Sequence, residues 1–278
     1  MPAPPAMPPL AALAARYGAA AAAPAAAAWN DTIALLLAHR SVRGYRPDPP
    51  PPGTLEALVA AAQSAATSSN LQAWSVVSVT DPATRAALAR IANGQAHIEE
   101  CPIFLVWIAD LSRHARLAEA EGAALEGLPY LETFLVAVID AALAAQNAVI
   151  AAESLGLSTV YIGALRNRPE EVAALLGLPR GAMAVFGLCV GYAREGAEGE
   201  VKPRLPQAAV LHHGRYGTEG EAALRAGYDR ALAAFSARQE MAQAGWTGRV
   251  LARLGRLRAL SGRDRMREAL AALGFPLR

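Results

Sequence analysis

The stretch Ile103-Phe104-Leu105-Val106-Trp107-Ile108-Ala109 is seven apolar residues without a break. It has the length of a strand and no apolar–polar alternation, which predicts a central strand buried on both faces. Val185 to Tyr192 reads the same way. Ser75 to Thr80, stopped by Asp81-Pro82, and Thr159 to Ile162, broken at Gly163, predict two shorter strands, and Val210-Leu211 an edge strand. Helices lie between them. Asn30 or Asp31 can cap one that runs through His39, with Ile33, Leu36 and Leu37 on one face. Beyond a stiff linker of Arg46-Pro47-Asp48 and four prolines through Pro52, Gly53 or Thr54 opens a helix to about Ala66. A short helix ends near Asn93-Gly94, and a charged stretch from Leu111 to Glu126 leads into a long one, Tyr130 to Leu155, which stops at Gly156. Pro169 sits at the first turn of another, and the chain is mainly helical from Glu219, including an arginine-rich tail over 249–267. Strands and helices mix without regular βα alternation, so the fold class expected is α+β rather than a doubly wound parallel sheet.

The 278 residues, 54% of them hydrophobic and 18% charged, suffice for a sizeable core. A net charge of +2 gives no global attraction to nucleic acid or to an anionic membrane, so basic chemistry must be local. Cys101 and Cys189, both in apolar runs, read as buried reduced thiols, and a reducing cytoplasm is the expected compartment. Residues 1–28 are almost all Ala and Pro; Arg16 and Pro24 interrupt them and no basic n-region precedes them, which argues against a signal peptide. A partly ordered extension is expected there, with order beginning at Trp29. Glu132, Asp140 and Glu153 inside the apolar Tyr130–Leu155 run argue for a core helix over a membrane span. No GxGxxG follows a strand, and no CxxC or HExxH occurs, so neither a Rossmann site nor a zinc site is expected.

Chemistry concentrates in a few segments. His39-Arg40-Ser41-Val42-Arg43 places an imidazole, a hydroxyl and two guanidiniums at a helix end. Guanidinium forks and a hydroxyl suit phosphate oxygens, although the same cations also read as a plain complement to the helix dipole. Lys202-Pro203-Arg204 projects two cations from a proline-stiffened segment; it is either a solvated basic loop or the second half of a clamp converging on one dianion. Thr67 to Trp74 and Asn93 to His97 offer hydroxyls, amides and an imidazole that fit a heteroaromatic edge or serve as ordinary turns. Tyr161-Ile162-Gly163-Ala164 ends a strand with nearly bare backbone, where amides could face a flat ring or merely form a turn.

Six motifs in order, HRSVR (39–43), ATSSNLQAW (66–74), NGQAH (93–97), AQNAVIAAESLGLSTVYIGALRN (145–167), FGLCVGY (186–192) and KPRLP (202–206), resemble the nitroreductase family, specifically its larger NADPH-type oxygen-insensitive nitroreductases and flavin reductases. The resemblance runs from about Trp29 to His212. It implies a mixed, mainly antiparallel sheet flanked by helices, in a homodimer with an extended C-terminal arm. The divisions it suggests are an Ala/Pro-rich extension over 1–28, an FMN-binding core over 29–215 and a helical arm over 216–278. It further implies bound FMN, with His39, Arg40, Ser41 and Arg43 as phosphate and ribityl contacts and Arg43 also near the pyrimidine edge. Lys202 and Arg204 would form the second phosphate clamp. Ser68, Ser69 and Asn70 would hydrogen-bond the isoalloxazine, Gln95 the ring or ribityl, and Tyr161, Ile162, Gly163 and Ala164 would pass along N5. The apolar helix would form the dimer core.

The activity implied is ping-pong: hydride from NADPH or NADH to flavin N5, then two electrons to a small-molecule acceptor such as a nitroaromatic or quinone. Free FMN or riboflavin as acceptor, and a non-catalytic flavin-binding module, stand as alternatives. FMN carries the chemistry, so no catalytic side chain and no metal is assigned. Two departures from the family stand out. Ala164 replaces the second glycine of a Tyr-Ile-Gly-Gly motif, and in the arm expected to grip the NADPH 2′-phosphate, Arg238 is the one near match, with no arginine from Gln239 to Gly245.

Overall fold

The computed structural model describes residues 8–18, 29–241 and 245–278. In chain order the elements are α1 (Pro9–Tyr17), α2 (Asp31–Ala38), α3 (Thr54–Gln63), β1 (Trp74–Ser78), α4 (Pro82–Ile91), α5 (His97–Glu100), β2 (Ile103–Asp110), α6 (Ser112–Glu121), α7 (Leu131–Ser154), β3 (Ser158–Ile162), α8 (Pro169–Leu176), β4 (Ala182–Gly191), α9 (Glu221–Arg238), α10 (Trp246–Leu254) and α11 (Met266–Ala272). They form two compact units. The first holds Ser41–Glu198 and Ser261–Arg278, and the second holds the described residues of Ala3–Arg40 together with Gly199–Leu260.

The first unit is built on a four-stranded sheet of order β1-β2-β4-β3 in which every neighbouring pair is antiparallel. Parallel pairing among the described residues is confined to the single bridge between Ser41 and Thr159. β2 is central, as its unbroken apolar run predicts, because both faces are covered. Leu105, Trp107 and Ala109 join a cluster with α3 and α7, whereas Phe104 and Val106 join one with Leu88 and Ile91 of α4, Ile98 of α5 and Val172 of α8. A strand with helices on both faces has no solvated face to mark with polar residues. The ladder slips between Trp107 and Ile108, leaving Val185 as a bulge. The Val185 carbonyl is taken by the Arg166 guanidinium.

α7 packs with an alanine seam, Ala137, Ala141, Ala144, Ala145, Ala148 and Ala152, all fully buried. By length and hydropathy this helix could cross a membrane. Its Asp140, however, is buried and bonded to backbone amides of a loop, and its alanine seam is packed with the sheet, as expected of a core helix. The face away from that seam carries Leu131, Leu135, Ile139 and Leu143, all exposed.

Several elements differ from expectation. Order begins before Trp29, with α1; residues 1–7 and 19–28 of the extension lie outside the described residues. The charged stretch after β2 contains α6. No strand forms at Val210-Leu211: both amides donate to the Gln207 carbonyl, so a turn follows Pro206 and leaves both side chains exposed. The arginine-rich tail is helical in pieces: α10, then 3-10 turns at Leu257–Leu260 and Arg263–Arg265, then α11, with Gly262 in the left-handed conformation between the turns. Elsewhere the local signals hold. Asn30 caps α2 by accepting from the Ile33 amide at 2.9 Å, and Gly156, at φ 76°, follows α7.

In the second unit α1 packs on α2. Tyr228, Leu232 and Phe235 of α9 gather Leu205 and Trp246 around them. Asp229 accepts from the Thr247 amide at 2.8 Å and hydroxyl at 2.6 Å, closing the first turn of α10.

Candidate functional site

In the first unit, residues 41–46 run extended along the ends of two strands. The Val42 amide donates to the Thr159 carbonyl at 3.0 Å, Tyr45 bridges Ala193, and the Arg46 amide donates to the Tyr192 carbonyl at 2.9 Å. Extended backbone alternates its side chains. Val42 is therefore buried at 2% exposure while Ser41 and Arg43 face outward. The Tyr45 hydroxyl fixes the turn by donating to the Val42 carbonyl at 2.9 Å. Burial, with the nearby thiols, raises its pKa far above the usual phenol range, so it is a structural donor and not an acid.

Ser68, Ser69 and Asn70 form one 3-10 turn with exposed side chains. Ser69, Asn70 and Gln72 all have positive φ, at 48°, 54° and 51°. Three non-glycine residues in that region within four positions store strain. Asp140 holds the loop at both ends: one carboxylate oxygen accepts from the Ser68 amide at 3.2 Å, the other from the Ala73 amide at 3.1 Å. In the sequence Asp140 counts only against a membrane span. A lone carboxylate in the middle of an apolar helix was the available signal that it had buried donors to satisfy.

Gln95 is half-buried in the turn between α4 and α5 and donates through Nε2 to the Ala92 carbonyl at 2.9 Å. His97, two residues on, is buried, and its Nε2 has no hydrogen-bond partner among the described residues. Burial, then the charge of Arg43, lower its pKa against an opposing pull from Glu100. His97 and Arg43 are thus close enough to interact, which brings Arg43 and the 93–97 motif to one neighbourhood. Tyr161 and Ile162 end β3, and Gly163 and Ala164 open a 3-10 turn over Gly163–Asn167. The Tyr161 ring meets Phe186 edge-on at 5.0 Å. A Cβ on Gly163 would lie 3.3 Å from the Arg166 guanidinium, so a side chain there would press on the group that holds the β4 bulge. Asn167, which sequence reading did not single out, ties this turn down. It donates to the Ile91 carbonyl at 3.0 Å and accepts from Arg263 at 2.9 Å.

The second unit carries His39, Arg40, Lys202, Arg204 and Arg238. His39 is the C-cap of α2 and half-buried, as is Arg40, which contacts the Gly199 carbonyl at 3.5 Å. In the 202–204 segment Pro203 is buried and its carbonyl accepts from the Tyr228 hydroxyl at 3.1 Å. The Lys202 ammonium lies 5.9 Å over the Phe235 ring, and Arg204 is exposed. Both basic segments contact one residue outside the expected set, Arg16. Its guanidinium donates to the His39 carbonyl at 2.7 Å and to the Lys202 carbonyl at 2.9 Å. Arg238 is occupied by a two-pronged ion pair with Glu200, at 2.8 Å from Nη2 and 3.0 Å from Nε to the same oxygen. Expectations about residues 242–244 of the arm fall outside the described residues.

In the first unit, strained, polar, outward-facing backbone at 68–72 and the buried His97 nitrogen offer donors for a ring edge. In the second unit, cations on the 39–40 and 202–204 segments suit phosphate oxygens. Residues 36–192 match the Nitroreductase family and residues 202–278 the C-terminal domain of that family. The oxygen-insensitive NADPH nitroreductase of Salmonella typhimurium is 41% identical over 207 residues, 74% of this chain and 82% of that protein. A Bacillus subtilis FMN reductase (NADPH) is 43% identical over 188 residues, 67% of this chain and 75% of that one. The Vibrio harveyi NADPH:FMN oxidoreductase, solved in complex with NAD+, superposes with a TM-score of 0.79 at 33% identity, over 90% of this chain and all of that one.

Proposed function

Because the chain belongs to the nitroreductase family, we propose that it is an FMN-dependent NAD(P)H oxidoreductase acting on nitroaromatic or quinone acceptors in ping-pong order. Bound FMN would supply the two-electron carrier between NAD(P)H and the acceptor. The chain's own residues bind, orient and tune. His39, Arg40, Lys202 and Arg204 take the phosphate, and Ser41 the ribityl. Ser68, Ser69, Asn70 and Gln95 hydrogen-bond the ring system, and residues 161–164 lie along its central nitrogen. Arg43 would place positive charge near the pyrimidine edge of the bound flavin. The observation that carries this reading is the loop at 68–73, strained at three non-glycine residues and pinned at both ends by Asp140. Such strain persists where the surroundings enforce a binding geometry.

The test is direct. Purified protein is expected to be yellow, to show flavin absorbance and to bleach anaerobically on adding NAD(P)H. Colourless protein that takes up no added FMN overturns the proposal. Arg43→Ala is expected to slow that bleaching about tenfold or more, the loss of a charge-assisted interaction of about 1.4 kcal/mol or more; unchanged bleaching and FMN retention would remove Arg43 from the site. A relative named for FMN reduction favours free flavin as a second acceptor class. A panel of quinones, nitroaromatics and free flavins under steady-state turnover separates the two.

If Arg238 grips the 2′-phosphate of NADPH, it must release Glu200, whose carboxylate it holds below the usual range. Glu200→Gln is then expected to lower KM for NADPH several-fold and leave KM for NADH unchanged, while Arg238→Ala raises KM for NADPH alone. Equal shifts for both donors would show that this pair does not read the phosphate. The exposed row Leu131, Leu135, Ile139 and Leu143 supports a homodimer built on α7, to be checked by sedimentation. The two free, buried cysteines fit work in the reducing cytoplasm, and the net charge of +2 fits no nucleic-acid or membrane partner.

A further inference from the structure

Arg16 is the one charged side chain in the first 28 residues. It lies in the last turn of α1, three and four positions after Leu13 and Ala12, so all three share the face that α1 buries. Arg16 itself is only 4% exposed. Burial of arginine is costly unless its fork is satisfied. Here Nε donates to the Leu37 carbonyl at 2.9 Å, Nη2 to the His39 carbonyl at 2.7 Å and Nη1 to the Lys202 carbonyl at 2.9 Å. In return the Arg16 carbonyl accepts from the Arg204 amide at 2.9 Å. Leu37 lies in the last turn of α2, whose closing carbonyls have no partner within the helix and sit at its negative end. A single residue thus caps α2, fixes the direction in which the chain leaves toward Arg40, and ties that exit to both ends of the 202–204 segment.

We infer that Arg16 is a positioning residue for the flavin phosphate, through which the Ala/Pro-rich extension sets the preference for phosphorylated over unphosphorylated flavin. The inference rests on the reading of His39, Arg40, Lys202 and Arg204 as the phosphate clamp. Two segments bearing like charges repel, and their separation must match one phosphate group. Arg16 fixes that separation by acting on their backbone carbonyls, and adds a further fixed positive charge. An ammonium in its place keeps the charge but lacks the planar fork that spans three carbonyls.

The experiment titrates full-length apoprotein with FMN and, separately, with riboflavin, followed by flavin fluorescence. In the wild type FMN is expected to bind at least tenfold more tightly. Arg16→Ala is expected to raise the FMN Kd tenfold or more and leave the riboflavin Kd within twofold. Arg16→Lys should recover at most part of the loss. Ala12→Asp, which undocks the buried face of α1 without touching Arg16, should reproduce the phosphate-selective defect, with far-UV circular dichroism confirming that each variant is folded. An FMN-to-riboflavin ratio unchanged in folded Arg16→Ala or Arg16→Lys overturns the role of Arg16 while leaving the flavin reading intact. A wild type that binds neither flavin, or both equally, overturns the phosphate clamp and this inference with it.

Discussion

Asp140→Ala protein is expected to lose most of its FMN affinity and a large part of its stability together. The carboxylate accepts from two backbone amides, Ser68 and Ala73, across some seventy positions of sequence. Hydrogen bonds to a charged acceptor contribute about 1.5–3 kcal/mol each, and an amide left buried without a partner adds a desolvation cost. Removing both is expected to destabilise the fold by about 3–5 kcal/mol, lowering Tm by on the order of 10 °C. Ser69, Asn70 and Gln72 would then relax from their left-handed conformations, since nothing else described pins both loop ends to α7. FMN Kd should rise tenfold or more. Asp140→Asn keeps one acceptor oxygen but turns a donor toward the other amide, so it should fall between the two. Thermal melts and flavin titration read both quantities. A variant with wild-type Tm and wild-type FMN affinity would show that the loop holds its strain without α7.

Gly187→Val is the second large effect. Gly187 lies in the middle of β4, paired with Val106 of β2 on one side and Ile162 of β3 on the other. A Cβ there would stand 2.7 Å from two ring carbons of the fully buried Phe104 and 3.3 Å from Ile162. A methyl already forces movement, and overpacking of this kind costs about 1–3 kcal/mol, with valine at or above the upper end. The direction of movement matters as much as the amount. Ile162 is the residue before Gly163-Ala164, the backbone proposed to lie along the flavin's central nitrogen, so pressure on it reaches the site. Gly187→Ala is expected to slow anaerobic bleaching by NAD(P)H more than its modest loss of Tm alone suggests, and Phe104→Leu in the same chain should restore both. Failure of the Phe104→Leu change to restore either would show that the clash is absorbed elsewhere.

The sequence made some of this architecture plain and concealed the rest, for reasons that differ residue by residue. β2 and β4 were legible because a strand covered on both faces must be apolar throughout, and few helices are so short and so uniformly apolar. The α2 cap, the strand stop at Asp81-Pro82 and the α7 stop at Gly156 were legible because their signals are local. Val210-Leu211 misled because two adjacent β-formers say nothing of the Gln207 carbonyl that captures their amides. The 66–74 motif was visible as polar loop residues, but the positive φ at Ser69, Asn70 and Gln72 was not, since none is glycine and the cause sits on α7. Arg16 was hidden in a tract whose composition suggests no packing, and its value depends on carbonyls at positions 37, 39 and 202, which leave no trace in side-chain identity. The segments proposed to hold FMN were found because they bear charges and amides; what holds those segments in place was missed because it works through backbone.

The alanine seam of α7 has a consequence for how this chain can drift. At Ala137, Ala141, Ala144, Ala145, Ala148 and Ala152 the side chain is a single methyl with no exposed surface. Trimming it to glycine loosens a 24-residue helix by about 1 kcal/mol per site, and enlarging it drives the helix off the sheet. Variation along that line is closed in both directions, whereas on the opposite face Leu135 and Ile139 point outward and answer only to whatever docks there. A set of related sequences should therefore show a nearly frozen stripe of small residues on this helix, recording the distance from helix axis to sheet, and a second face that changes only in step with whatever docks on it.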